Sequence, residues 1–196
     1  MSFYERRLPH WHPAGRDLFL TWRLQGSLPP NRYVPPKGLT SGQAFVWIDR
    51  YLDQTRTGPR WSERAEIAQM IVDAIHHGQD KLHHYKWHAY VVMANHVHLL
   101  ISPLAAPPKI MQSPKGFTAR EANKMLDRMG QVFWQAETYD HWVRDAREFD
   151  KIRGYIEDNP VKAGLVALAE DYLWSIARKK PGREAGLQPG LAAPQC

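Results

Sequence analysis

Between residues 85 and 102 two extended runs, YKWHAYVVM (Tyr85 to Met93) and HVHLLIS (His96 to Ser102), are separated only by Ala94 and Asn95. Both runs are rich in aliphatic and aromatic residues, and so short a connection leaves them to pair as an antiparallel hairpin. Alternation along the second run sends His96 and His98 to one face and Val97, Leu99 and Ile101 to the other. The hairpin therefore has one apolar face to bury and one that carries paired imidazoles.

The remaining elements arrange themselves around that hairpin. Asp17 to Gly26 (DLFLTWRLQG) alternates Leu18, Leu20, Trp22 and Leu24 against Phe19, Thr21, Arg23 and Gln25, which predicts a first strand. Ser62 is positioned to cap a helix whose apolar residues Ile67, Met70, Ile71 and Ile75 recur at helical spacing through His77. Thr118 with Glu121 predicts a capping box opening a second helix through Met125 and Leu126, after a turn near Lys109 disturbed by Pro114. Thr138 to Arg144 predicts another strand. Asp145 with Glu148 starts a third helix that must stop near Asn159, because Pro160 disfavours helical geometry before it. Residues 27–42, with four prolines, and the chain from Lys179 onward read as poorly structured.

The resulting order is βαββαβ with an added C-terminal helix. That is an α+β fold of the ferredoxin-like or RRM-like kind, with two crossover helices covering one face of an antiparallel sheet and the other face left free. At 196 residues and 43% hydrophobic, the chain suffices for one domain, residues 1–178, followed by a basic tail at 179–196. No apolar run approaches a membrane span, and the expected location is cytoplasmic. The only cysteine is Cys196, so any metal must be held by nitrogen and oxygen donors. The net charge of +6 is concentrated toward the two ends, with a local stripe of Lys109, Lys115, Arg120, Lys124 and Arg128 that would suit a polyanion.

Two imidazoles one residue apart on a strand stand close enough to share a divalent cation, though a third ligand is needed. Among ten histidines a purely structural pair is an open alternative. A second copy of the pattern, His10-Trp11-His12, reads as lying ahead of the first strand with no strand alternation and is discounted. On the third helix Phe149, Ile152 and Ile156 form the apolar stripe, while Tyr155 and Asn159, four residues apart, share one side at its edge. A tyrosine completing the core would satisfy the same pattern.

The hairpin with His96-Val97-His98, then a helix, a strand, and a helix reading Tyr155-Ile156-Glu157-Asp158-Asn159-Pro160-Val161-Lys162-Ala163-Gly164-Leu165 resembles the REP-associated tyrosine transposases, relatives of the insertion-sequence transposases in the HUH class. Further matching segments are Arg7-Leu8-Pro9-His10-Trp11, Leu20-Thr21-Trp22-Arg23-Leu24, Lys115-Gly116-Phe117-Thr118, Phe133-Trp134-Gln135 and Tyr139-Asp140-His141-Trp142-Val143-Arg144, so the likeness spans residues 5 to 175. The resemblance implies that His96, His98 and Asn159 hold a divalent metal, Mg²⁺ with Mn²⁺ as the alternative. It implies that Tyr155 is the nucleophile that becomes joined to a 5′-phosphate, and that the substrate is single-stranded or hairpin DNA with REP-like palindromes. Arg7, Trp11, Arg23, Lys115 and Arg120 are candidates for gripping DNA, with Trp22 a further candidate for stacking a base. The chain departs from the family pattern at Ala94, where proline is usual, and at Gly154. A domesticated, non-catalytic hairpin-DNA-binding protein is the alternative function, and the resemblance leaves monomer and homodimer both open.

Overall fold

The computed structural model describes residues 2–5, 9–12, 15–29 and 36–178, with only the backbone described at 2–5 and 9–12. Arg7 and the tail at 179–196 lie outside the described residues, as does the side chain of Trp11. The chain opens with a two-stranded antiparallel ribbon, β1 (Ser2–Glu5) and β2 (Pro9–His12), in which Trp11 pairs with Phe3. This corrects the reading of His10-Trp11-His12: its backbone is a strand, paired within four residues of sequence that alternation alone was too short to reveal.

The main sheet contains β3 (Leu18–Arg23), β4 (Tyr85–Val92), β5 (His96–Pro103) and β6 (Tyr139–Trp142), antiparallel throughout in the order β4-β5-β3-β6. This is the expected α+β architecture and ferredoxin-like strand order. The β4–β5 hairpin closes at Ala94-Asn95, where the amide of Met93 donates to the carbonyl of His96 at 2.9 Å. Among the described residues five α-helices accompany the sheet: α1 (Ser41–Gln54), α2 (Ala65–Asp80), α3 (Pro107–Met125), α4 (Ala146–Glu157) and the single turn α5 (Asn159–Lys162).

Alternation on the strands divides the interior into two layers. Leu18, Leu20 and Trp22 of β3, Leu24 just after it, and Val97, Leu99 and Ile101 of β5 pack with Ile67, Ile71 and Ile75 of α2 and Ile110 and Ala122 of α3. Each such fully buried aliphatic side chain contributes about 1.5–3 kcal/mol. The opposite face, expected to be free, is covered. Phe19, Ala89, Val91, Leu100 and Ile156 form a second cluster, joined by Phe45 of α1 and by Phe149, Ile152 and Tyr155 of α4. α4 supplies most of that cover, and α1, in the long connection after β3, adds Phe45.

Three local expectations also change. Ser62 does not cap α2; it is buried in a 3₁₀ turn (Trp61–Glu63), and Arg64 precedes the helix. α3 runs unbroken from Pro107 past Pro114, so Thr118 opens nothing: its hydroxyl donates to the Pro114 carbonyl at 2.6 Å and accepts from Trp134 Nε1 at 2.9 Å. Trp22 is 2% exposed, edge-on to Trp134 in the first cluster, and is unavailable to stack on a base. By contrast, Asp145 caps α4 as its sequence predicts, accepting from the Glu148 amide at 2.8 Å.

α2 packs closely on β4 at Gly78. The Tyr85 hydroxyl crosses its Cα to donate to the Ile75 carbonyl at 2.9 Å, and a Cβ there would collide with the phenol. Gly78→Ala should therefore destabilise the protein by about 1–3 kcal/mol despite alanine's better helix propensity. Urea denaturation checks this, and Tyr85→Phe in the same chain should return part of the loss.

Candidate functional site

The site is assembled where β5, α1 and α4 meet on the second face. His96 and His98 are fully buried, with Nε2 atoms 3.1 Å apart. Each ring is held from behind. Asn95 donates its Nδ2 to the Leu52 carbonyl at 3.0 Å, which leaves its Oδ1 to accept from Nδ1 of His96 at 2.7 Å. That contact fixes the proton of His96 on Nδ1 and turns the Nε2 lone pair into the site. Behind His98 stands the hydroxyl of Thr21, its cross-strand partner, 2.7 Å from Nδ1. A hydroxyl either donates or accepts, so Thr21 serves both tautomers of His98.

α1 supplies a carboxylate that the sequence reading did not single out. Asp49 is 1% exposed, with Oδ2 3.2 Å from His98 Nε2 and Oδ1 3.5 Å from His96 Nε2. The Tyr155 hydroxyl donates to Asp49 Oδ2, and Asn159 Nδ2 reaches the same oxygen at 3.4 Å. Tyr155 and Asn159 thus converge on one point as their spacing predicted, although they do not share one helix. α4 ends at Glu157, and Asn159 opens α5 with Pro160 in its first turn, where a missing amide costs nothing. One turn beyond Asp49, Asp53 Oδ1 stands 3.7 Å from His96 Nε2. Oδ1 of Asp49, of Asp53 and of Asn159 are buried without a hydrogen-bond partner.

Asp49, His96 and His98 offer ligand atoms within 4.8 Å of one another, the one group of at least three acidic, histidine or cysteine residues among the described residues that could hold a metal ion. A signal for Asp49 did exist. The capping box of Thr40 and Gln43 opens α1, and Phe45, Ile48 and Leu52 mark its inner face. An aspartate beside that face, in a helix with a hydrophobic purpose, needs a partner when it is buried.

Burial governs the titration of these groups. It holds His96 down to about 3, with repulsion from His98 adding to it and Asp49 opposing, so the ring is neutral at pH 7. Burial raises Asp49, but attraction to His98 and His96, with hydrogen bonds from His98 and Tyr155, outweighs it and leaves the carboxyl well below the usual range. Burial and the neighbouring Asp49 charge push Asp53 up to about 7. Burial, followed by the charge of Asp49, holds the Tyr155 phenol well above its ordinary value.

The basic candidates separate by location. Arg23 is the cross-strand partner of His96 and so stands on the site's face of the sheet; burial lowers its pKa, and Nη1 donates to Ser27 Oγ at 3.2 Å. Lys115 and Arg120 belong to α3, whose buried side packs on the other face. Lys115 Nζ donates to the carbonyls of Gln135 and Ala136 and to Thr138 Oγ1 at 2.8–3.2 Å, tying α3 to the segment before β6. Arg120 is exposed beside Glu121, 2.9 Å away, with its guanidinium 5.9 Å from the Phe117 ring centroid.

A buried carboxylate and two imidazoles thus face a tyrosine hydroxyl on one side of a four-stranded antiparallel sheet. Residues 44–159 match the family described as "Transposase IS200 like", and the chain belongs to that family. No curated protein matches it. Among solved structures it is similar to a REP-associated tyrosine transposase bound to a REP hairpin, with 17% identity over 89% of this chain and 82% of that one and a TM-score of 0.54. At that identity the likeness is one of fold. It is also similar to a protein described as a transposase from Deinococcus radiodurans R1, with 16% identity over 79% of this chain and 98% of that one and a TM-score of 0.39. No helix among the described residues is long and apolar enough to cross a membrane.

Two predictions follow from the geometry. Asn95→Ala leaves the His96 Nδ1–H and the Leu52 carbonyl unpaired in the interior, and should lower stability by about 1–3 kcal/mol, measured by urea denaturation. The second concerns pH. His96 titrates near 3 in the native protein and near 6.5 when unfolded, so its contribution to stability is full above 6.5 and is lost as pH falls toward 3. Asp53 runs the other way: raised to about 7, it contributes stability below about 4 that is lost as pH rises through 7. Asp53→Asn removes that opposing slope, so the metal-free variant should gain stability more steeply than the parent between about pH 4 and 6.5. Equal slopes in urea titrations across that range would refute the assignment.

Proposed function

We propose that this transposase cuts and rejoins single-stranded DNA at palindromic hairpins through a covalent 5′-phosphotyrosine on Tyr155, with a divalent cation, Mg²⁺ or Mn²⁺, held by His96, His98 and Asp49. The observation that carries this reading is the convergence of the Tyr155 hydroxyl on Asp49 Oδ2, itself 3.2 Å from His98 Nε2. Nitrogen and carboxylate donors suit such ions, and Asn159, first expected as the third ligand, stays a candidate donor through its buried, unpartnered Oδ1.

When bound, the cation supplies Lewis-acid polarisation of the scissile phosphate. The chain's own residues do the rest. Asp49 Oδ2 orients the Tyr155 hydroxyl and is the acceptor beside the phenolic proton as the oxygen attacks phosphorus. The P–O3′ bond breaks, the 3′-oxygen leaves and takes up a proton, and the 5′-phosphate stays on Tyr155. A second 3′-hydroxyl reverses the step: it attacks the phosphotyrosine, releases the phenol and rejoins the strand without a nucleotide cofactor. Burial and the Asp49 charge keep the free phenol protonated.

The deciding experiment incubates the protein with labelled hairpin DNA, with and without Mg²⁺ or Mn²⁺, and resolves the products by denaturing electrophoresis. A metal-dependent covalent adduct is expected, reduced to background by Tyr155→Phe. Binding with no adduct at any metal concentration would favour a hairpin-binding protein instead. For the grip on DNA, Arg120→Ala should lower the slope of log affinity against log salt by about 1. Lys115→Ala should instead cost about 1 kcal/mol of stability, because its ammonium is already engaged by protein oxygens.

A further inference from the structure

Lys162 follows Asn159 by three residues and Tyr155 by seven, and Asp158, between α4 and α5, keeps a helical backbone. Tyr155, Asn159 and Lys162 therefore follow one side of the helix pair. The Lys162 ammonium stands 5.0 Å from the centroid of the Tyr155 ring. Its charge also reaches α1: with His98, it opposes the rise that burial and Asp49 impose on the Asp53 carboxyl. Lys162 thus belongs to the exposed side of the site. What holds it there is slight. Nζ is 3.9 Å from Asp158 Oδ2, and both side chains are more than half exposed. An exposed pair of this kind contributes little and gives way to a stronger partner.

A phosphodiester approaching Tyr155 meets the negative charge of Asp49, whose carboxylate accepts the phenolic hydroxyl. A phosphorus in line for attack lies about 3–3.5 Å from the attacking oxygen. A charge-assisted hydrogen bond from an ammonium to a phosphate oxygen spans about 2.7–2.9 Å. An ammonium 5.0 Å from the tyrosine ring is within that combined reach.

We propose that Lys162 is a catalytic residue of the strand-transfer reaction, its ammonium holding a non-bridging oxygen of the phosphate that Tyr155 attacks and then carries. This rests on the Tyr155 reading above. Lys162 gives up no proton: the phenolic proton still lies beside Asp49 and the P–O3′ bond still breaks as described. The ammonium offsets the negative charge that gathers on the phosphoryl oxygens. In the rejoining step the same contact holds the phosphotyrosine toward the incoming 3′-hydroxyl.

The test uses the full chain and labelled hairpin DNA with Mg²⁺ or Mn²⁺, timing covalent adduct formation at saturating protein. Lys162→Met, which keeps the side chain's length without its charge, should slow the saturated rate at least about tenfold. Its hairpin affinity and urea midpoint should stay at the parent's values. Lys162→Arg, which keeps the charge, should recover most of the rate. A Lys162→Met protein that forms adduct at the parent's saturated rate, whether or not it binds the hairpin more weakly, overturns the assignment of Lys162 alone. Equal rates in the methionine and arginine variants overturn it too, because charge would then not be what the position supplies. A parent that forms no adduct overturns both this inference and the Tyr155 reading on which it rests.

Discussion

A single carboxylate, Asp49, ties together elements that come from three distant parts of the chain. It receives the Tyr155 hydroxyl from α4 and the Asn159 amide from α5, and it faces both imidazoles of β5. A buried carboxylate of this kind is costly alone and stable only among donors or cations. The surrounding residues meet that requirement while retaining unpartnered oxygens that an ion would satisfy. The same group therefore organises the packing of α1 on the sheet and the chemistry of the site.

Support for the imidazoles comes from residues whose side chains never reach the reacting space. Asn95, at the tip of the β4–β5 hairpin, bonds the end of α1 and the back of His96 together, and Thr21 does the corresponding work behind His98 from β3. These contacts mean that the orientation of each ring depends on the hairpin turn and on strand register. A one-residue slip of β5 would send both imidazoles into the apolar layer and Val97 and Leu99 out of it, so the aliphatic packing of that layer holds the register.

Local patterns were legible wherever the signal was periodic and short in range. The β4–β5 hairpin, the strand β3, the cap of α4 by Asp145 and the convergence of Tyr155 with Asn159 all follow from alternation, turn length or helical spacing. What escaped was α1, although its capping box and its Phe45, Ile48, Leu52 spacing were present, because neighbouring prolines suggested irregular chain. With α1 went Asp49 and Asp53, while the second sheet face is covered mainly by α4, whose docking side no local pattern fixed. Trp22 and Thr118 erred for the opposite reason: each carried a plausible local role that tertiary packing against Trp134 overrode.

The amino-acid order by itself determined an antiparallel sheet with two histidines on one face and a tyrosine and asparagine that meet, because such relations depend only on strand and helix periodicity and on covalent neighbours. The tertiary structure alone decided which carboxylate faces those imidazoles, which basic residues share their side of the sheet, and which are spent on holding the fold. Those questions turn on where a helix from one part of the chain comes to rest on a strand from another, and long-range packing energy sets that position, which no local pattern encodes.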